Sequence, residues 1–228
     1  MPATGIADDL VGRARVFAAL GDPGRLAIVD ELRRTDRSPT ELTARLGVPG
    51  NLLAHHLDVL EDVGLIERFV SSGDRRRRYV RLTGSGAETD PGAADGDVPS
   101  SVLFVCTHNS ARSQLAAAAW NRCRGAGATS AGTRPASEVH PGAVKAARRA
   151  GLDLSDARPR DLVDVGPADV VVTVCDRAHE ELDPDESWLH WSIPDPVTAG
   201  TGHAFDRTLA DLDDRINRLT RGAPQENP

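Results

Sequence analysis

The run Cys106-Thr107-His108-Asn109-Ser110-Ala111-Arg112-Ser113 sets a thiol and a guanidinium at Cys-x5-Arg spacing across small and polar residues. A loop of this kind can turn successive backbone N–H groups toward one tetrahedral oxyanion, while Arg112 grips two of its oxygens with a planar fork. A helix starting where the loop ends adds positive potential from its N-terminus. That field favours Cys106 as a thiolate, the nucleophile that a thiol is not. Thr107, His108, Asn109, Ser110, Ala111, Arg112 and Ser113 are therefore expected to bind an oxyanion, with Cys106 and Arg112 catalytic. Ser110 and Ser113 offer hydroxyls to the sulfur or the loop, and Asn109 tolerates the unusual backbone angles of a tight cradle.

Cys-x5-Arg alone is a weak pattern and needs structural context. Of the three cysteines, Cys106, Cys123 and Cys175, only Cys106 satisfies it. The context is present: the apolar run S-V-L-F-V-C reads as a strand ending in Cys106, and A-R-S-Q-L-A-A-A-A-W-N-R-C reads as a helix. A second apolar run, D-V-V-V-T-V-C, ends in Cys175, and amphipathic helices are expected near residues 141 to 150 and 203 to 220. Strands alternating with helices imply an α/β domain with a parallel sheet. Ligands of such sheets bind beyond the carboxyl ends of the strands, so Cys106 and Cys175 are expected at one edge. Cys123 lies inside the helix and reads as packing.

The N-terminal part reads differently. Leu10, Val11, Ala14, Phe17 and Ala18 recur at helical spacing, Asp22-Pro23 opens a helix running to about Arg34, and Ser38-Pro39-Thr40-Glu41 has capping-box spacing. Gly47 ends that helix and another begins near Gly50, with Leu53, Leu57 and Leu60 on one side and Gly64 as its left-handed end. L-I-E-R-F-V and R-R-R-R-Y-V-R-L, joined by a Ser-Ser-Gly-Asp turn, read as a hairpin. This is the order of a mainly α winged helix-turn-helix domain. Between the two parts, Gly, Asp, Ala, Ser and Pro dominate without hydrophobic periodicity. The expected organisation is a winged helix over 1–84, a flexible linker over 85–99 and the α/β domain over 100–228.

Three scattered cysteines exclude a disulfide framework, and no apolar run is long enough for a membrane span. A cytoplasmic protein that engages no membrane is expected. The net charge of −7 divides unevenly: 13 arginines face 12 acids up to Ser85, and 14 basic residues face 22 acids beyond it. No metal site is expected: no two cysteines have C-x2-C spacing, and His179 and His190 lack partners at ligand spacing. His56 reads as a satisfied core histidine.

On the loop through Gln114, the segment Ser130-Ala131-Gly132-Thr133 and Trp191-Ser192-Ile193-Pro194-Asp195-Pro196, residues 101 to 221 resemble the low-molecular-weight protein tyrosine phosphatase family. Within it they resemble the thioredoxin- and mycothiol-coupled arsenate reductases. The resemblance implies that Asp195, at its Asp-Pro step, is the general acid that protonates the oxygen leaving the tetrahedral centre. It also implies that Cys175 is the resolving cysteine, which attacks the Cys106 sulfur, releases arsenite and leaves a Cys106–Cys175 disulfide. No bound cofactor is implied, only an external thiol reductant, either a redox partner protein of thioredoxin or glutaredoxin type or a small thiol such as mycothiol. The thioredoxin-coupled members carry a further cysteine where this chain has Leu182, so the last electron-transfer step stays open.

Two enzyme readings share the loop, with arsenate or phosphate as the oxyanion. Val197-Thr198-Ala199-Gly200 after the Asp-Pro step supplies no aromatic wall for a phenyl ring, and Gln114 stands where phosphatases usually show proline. Both features favour reduction. The alternatives are a tyrosine phosphatase carrying a DNA-binding domain and a non-catalytic repressor that senses an oxyanion.

Residues 8 to 83 resemble the ArsR-type winged-helix repressors, through F-A-A-L-G-D-P-G-R-L-A-I-V and A-H-H-L-D-V-L-E-D-V-G-L-I. The resemblance implies double-stranded DNA as a partner, with Asn51 and His55 near base edges and Arg75, Arg76, Arg77 and Arg78 near phosphates. Leu52 and Ala54 replace hydroxyl residues usual there. It further implies a homodimer, for which the apolar stripe of the first helix is the candidate interface. Residues 1 to 105 contain no cysteine, which excludes arsenite sensing by thiols of this domain.

Overall fold

In a computed structural model of the chain, the described residues are 8–84, 98–185 and 187–220. The expected linker lies outside them, apart from residues 98 and 99. The chain divides into two compact units, each taken by itself.

The first unit contains helices α1 (Asp8–Leu20), α2 (Pro23–Leu32), α3 (Pro39–Leu46) and α4 (Gly50–Asp62), then strands β1 (Ile66–Val70) and β2 (Arg78–Leu82). The Asp22 carboxylate caps α2 by accepting from the Arg25 N–H at 3.0 Å, and the helix ends at Leu32, two residues before the expected Arg34. Ser38 and Glu41 form the expected reciprocal capping box on α3, and Gly47 closes that helix at φ +63°. The hairpin is antiparallel, from Ile66 opposite Leu82 to Val70 opposite Arg78, so only Arg78 of the four consecutive arginines belongs to a strand. Leu53, Leu57 and Leu60 of α4 pack with Ile28, Leu32, Leu42 and Val80 in one core.

His56 is buried on α4, but the expectation that it is satisfied fails. Its Nδ1 has no hydrogen-bond partner, and the nearest acid, Asp22, is 3.8 Å away. The stripe on α1 leaves Leu10, Val11 and Phe17 exposed.

The second unit contains β3 (Val102–Cys106), α5 (Arg112–Arg124), β4 (Ala128–Gly132), α6 (Pro141–Arg149), β5 (Val170–Thr173), α7 (Asp176–Leu182), β6 (Leu189–His190), α8 (Pro196–Ala199) and α9 (Gly202–Thr220). The four strands form a parallel sheet in the order β4-β3-β5-β6, flanked by helices. Every residue of the apolar run Val102–Cys106 is buried, as expected of a central parallel strand. Phe104 stands 6.3 Å from Trp120 and 5.8 Å from Trp191, centroid to centroid, and joins α5 and the segment after β6 to the core. Helix α9 packs on α5 and α6.

Two sequence expectations need correction, and one strand was not expected at all. β5 ends at Thr173, and Cys175 instead caps α7, accepting from the Ala178 N–H at 3.4 Å. β4 carries A-T-S-A-G, which lacks strand propensity; it is a strand because its backbone pairs in register with β3 from Val102 opposite Ala128 to Cys106 opposite Gly132. Cys123 is exposed on α5 and does not pack.

Candidate active site

The loop leaving β3 is held by its carbonyl groups. Those of Cys106, Thr107, His108 and Ser110 accept from the backbone N–H of Thr133, Arg134, Ala136 and His140, at 3.2, 2.8, 2.9 and 2.8 Å. The Asn109 carbonyl accepts from Gln114 Nε2 at 3.1 Å, and that of Ala111 from the Leu115 N–H at 2.9 Å. Six successive carbonyls are thus tied. In a trans peptide the carbonyl and the following N–H point in opposite directions, so tying these carbonyls aims the N–H groups of residues 107 to 112 away from the loop's anchors. The Asn109 N–H points at Cys106 Sγ, at 3.2 Å.

Asn109 is the hinge of this cradle. It adopts φ +47°, and its side chain locks it: Oδ1 accepts from the Arg160 N–H at 2.9 Å and from Gln114 Nε2 at 3.1 Å, while Nδ2 donates to Ser113 Oγ at 2.8 Å. Ser113 Oγ lies 3.0 Å from Cys106 Sγ, the role expected for one of the two serine hydroxyls. Gln114 therefore braces the loop from behind.

Gly132, at the end of β4, gives the loop its room. A Cβ there would lie 2.8 Å from the Thr107 carbonyl oxygen and 3.0 Å from Asn109 N. Gly132→Ala is expected to displace the loop, costing about 1–3 kcal/mol of stability and roughly tenfold or more in turnover. Thermal unfolding alongside kcat/KM checks this, and an unchanged kcat/KM refutes it.

Arg112 opens α5 and is buried. Its Nη1 donates to the Ile193 carbonyl at 3.1 Å, and its Nη2 lies 3.3 Å from Asp195 Oδ2. Burial works against its charge, but the acidic groups of Cys175, Cys106, Asp195 and Asp176 outweigh burial and hold its proton more tightly than usual. Asp195 is half-buried and also caps α8, accepting from the Val197 N–H at 3.0 Å. Asp195 thus opens α8 and stands beside Arg112 at once.

Cys106 and Cys175 are both buried free thiols at the carboxyl edge of neighbouring strands, with Val174 N–H bonded to the Val105 carbonyl at 2.7 Å between them. Thr107 Oγ1 stands 3.4 Å from Cys175 Sγ, so the loop that holds the first thiol also touches the second. Burial pushes the Cys175 thiol up, against the pull of the Arg112 charge. His108 is exposed at the rim, its Nδ1 3.1 Å from the Arg134 carbonyl oxygen.

A family model described as low molecular weight phosphotyrosine protein phosphatase matches residues 101–227. This chain belongs to that family. A second model, a helix-turn-helix domain, matches residues 13–68. Similar curated proteins include an arsenate reductase of Bacillus cereus strain AH187, 32% identical over 127 residues that span 52% of this chain and 92% of that one. An arsenate reductase of Bacillus licheniformis is 34% identical over 137 residues, 52% and 93% of the two chains. The crystal structure of arsenate reductase from Archaeoglobus fulgidus aligns with 33% identity and a TM-score of 0.46 over 52% of this chain and 97% of that one.

Of the residues expected to read DNA, Asn51, His55, Arg77 and Arg78 lie in the first unit, while Arg75 and Arg76 fall in the second. Asn51, near the start of α4, and His55 are exposed, and so are Arg75 to Arg78. Arg76 is partly engaged already, its Nε and Nη2 each 3.1 Å from the Asp74 carboxylate. Among the described residues no helix is long and apolar enough to cross a membrane, and no group of three potential metal ligands occurs.

Sequence reasoning missed the buried side chains behind Cys175. Asp176, His190, Thr173 and His179 meet there, although fourteen positions separate Asp176 from His190 and nothing in their spacing announces the meeting.

Proposed function

We propose that this chain is a cytoplasmic thiol-dependent arsenate reductase fused to a DNA-binding winged helix. The observation that carries the reading is the pair of buried thiols at one sheet edge, both beside Thr107 of the loop. A phosphatase needs one thiol; reduction by two electrons needs two.

In the reaction the Cys106 thiolate attacks arsenate held by the loop N–H groups and Arg112, forming an S–As bond, while Asp195 gives its proton to the departing oxygen. Cys175 loses its proton and attacks Cys106 Sγ. The S–S bond forms, the S–As bond breaks and its electron pair stays on arsenic, which leaves as arsenite. An external dithiol or low-molecular-weight thiol supplies two electrons to reopen the disulfide. Free thiols at the site suit a reducing compartment.

The test gives the reduced protein arsenate with a thioredoxin or a mycothiol system, beside para-nitrophenyl phosphate. Wild type is expected to form arsenite. Cys175→Ser is expected to form none through an internal disulfide, while its rate on para-nitrophenyl phosphate stays within about threefold, since Cys106, Arg112 and Asp195 suffice for that chemistry. Phosphate release without arsenite in wild type would overturn the proposal. Because the Cys175 thiol is held above its ordinary range, its thiolate fraction below that point grows about tenfold per pH unit. Disulfide formation is therefore expected to accelerate through the neutral and mildly alkaline range. A rate flat from pH 6.5 to 8.5 would refute the role given to Cys175.

The winged helix is read as an operator-binding module, α4 entering a major groove with Asn51 and His55 at base edges and the arginines at phosphates. Neutralising Arg75 to Arg78 together is expected to lessen the salt dependence of operator binding by about one unit of log–log slope for each phosphate that no longer meets an arginine. Arg76, partly neutralised by Asp74, contributes less than an arginine without such a partner would. An unaltered slope, measured by fluorescence anisotropy, would remove the basic hairpin from the interface. The exposed Leu10, Val11 and Phe17 of α1 support a homodimer through that helix, which light scattering tests.

A further inference from the structure

Behind Cys175 lies a polar cluster that the reaction above does not use. Thr173 of β5 and His190 of β6 are fully buried, and Asp176 and His179 of α7 nearly so. The Thr173 hydroxyl is the hub: its Oγ1 lies 2.9 Å from His190 Nδ1, 3.0 Å from His179 Nδ1 and 3.2 Å from the Leu189 carbonyl. His190 Nε2 lies 3.1 Å from Asp176 Oδ1, and the two imidazole rings stack at 4.1 Å between centroids.

Hydrogen-bond accounting constrains the protons. Although burial would raise it, the Asp176 carboxyl is held well below the usual carboxylate range by hydrogen bonds from His190 and Ser192 and by the His190 charge. As a carboxylate it only accepts, so His190 Nε2 must carry a hydrogen and donate it. The Thr173 hydroxyl has one hydrogen to give and two lone pairs, and its three neighbours lie within reach of both. A buried hydrogen-bonded network of this kind fixes the segments it joins.

Those segments are the turn holding Cys175 and the strand end that follows β6. Asp176 adjoins Cys175, and the His179 N–H bonds the Cys175 carbonyl at 3.2 Å. On the other side, the Trp191 N–H bonds the Thr173 carbonyl at 2.8 Å. The oxyanion loop hangs from other anchors, the 133–140 segment and Gln114. The cluster therefore grips the second thiol's turn without gripping the cradle of the first.

We propose that Thr173, His190 and Asp176 are positioning residues for Cys175, presetting its sulfur for attack on Cys106 while contributing little to oxyanion binding. This rests on the reading of Cys175 as the resolving thiol, so the first measurement needs no arsenate. The full-length protein is equilibrated with oxidised and reduced dithiothreitol: the Cys106 and Cys175 thiols are oxidised to their disulfide as oxidised dithiothreitol is reduced to the dithiol, and the equilibrium constant gives the effective concentration of one thiol toward the other. Thr173→Val keeps the volume and removes the hub; Asp176→Asn removes the charge and one of the two acceptor oxygens that meet His190 and Ser72; Thr173→Ser restores the hydroxyl.

The effective concentration is expected to fall tenfold or more in Thr173→Val, by a smaller factor in Asp176→Asn, and to recover in Thr173→Ser. Single-turnover arsenite release should fall by matching factors, while the Kd for inorganic phosphate stays within threefold of wild type. An unchanged effective concentration in both Thr173→Val and Asp176→Asn overturns the inference, and so does a parallel loss of phosphate affinity, which would mean general loosening. If Thr173→Val fails to fold, Asp176→Asn against wild type decides. A wild type that forms the disulfide against dithiothreitol but yields no arsenite sinks the proposed function and leaves this inference standing.

Discussion

Cys106→Ser is expected to abolish arsenite formation, by on the order of 10⁴-fold or more in kcat, while the fold and phosphate affinity survive. Serine fits the same space, and its oxygen replaces sulfur as the neighbour of Ser113 Oγ, 3.0 Å away, and as acceptor of the Asn109 N–H, 3.2 Å away. What it lacks is chemistry. A hydroxyl is scarcely ionised near neutral pH, and an O–As ester cannot be opened by thiol attack to give a disulfide, so neither the first bond nor the two-electron transfer is available. Arsenite measured by ion chromatography under saturating arsenate is the readout. Residual turnover within a hundredfold of wild type would mean that another group is the nucleophile.

Arg112→Lys is expected to cost the next largest factor, roughly 10²–10³-fold in kcat/KM. The guanidinium presents a fork that grips two oxygens of a tetrahedral ligand, and its remaining donors stay on the Ile193 carbonyl and beside Asp195. A lysine ammonium is a point charge on a flexible stem. It can meet the oxyanion or the Ile193 carbonyl, and whichever it leaves is a buried group without its partner. Phosphate Kd should weaken along with kcat/KM, since the fork serves ground state and transition state alike. A loss below tenfold would remove Arg112 as the clamp.

The loop after β3 was legible because its determinants are local. An apolar run followed by small and polar residues and then an alanine-rich helix leaves few backbone solutions, and the expected positive φ at Asn109 is there at +47°. The winged helix was legible for the same reason: the Asp22 cap, the Ser38–Glu41 box and Gly47 each act within four residues of themselves. The expectations that failed depend on distant neighbours. Cys123 sits in a helix as expected, but which side of α5 meets the core depends on where α9 and β4 pack. His56 is buried as expected, yet whether a buried Nδ1 finds a partner depends on the placement of Asp22, thirty-four positions away.

The sequence by itself determined the Cys-x5-Arg loop between a strand and a helix, and the order of elements in the first unit, since these follow from spacing and periodicity along one stretch of chain. Only the tertiary structure decided what surrounds them: that Gly132 of a strand with no strand propensity makes room for the loop, that Thr107 bridges toward Cys175, and that Asp176 and His190 meet behind it. Parallel strands make the difference, because their hydrogen bonds join residues far apart in sequence and bring their carboxyl ends, and whatever follows them, to one edge.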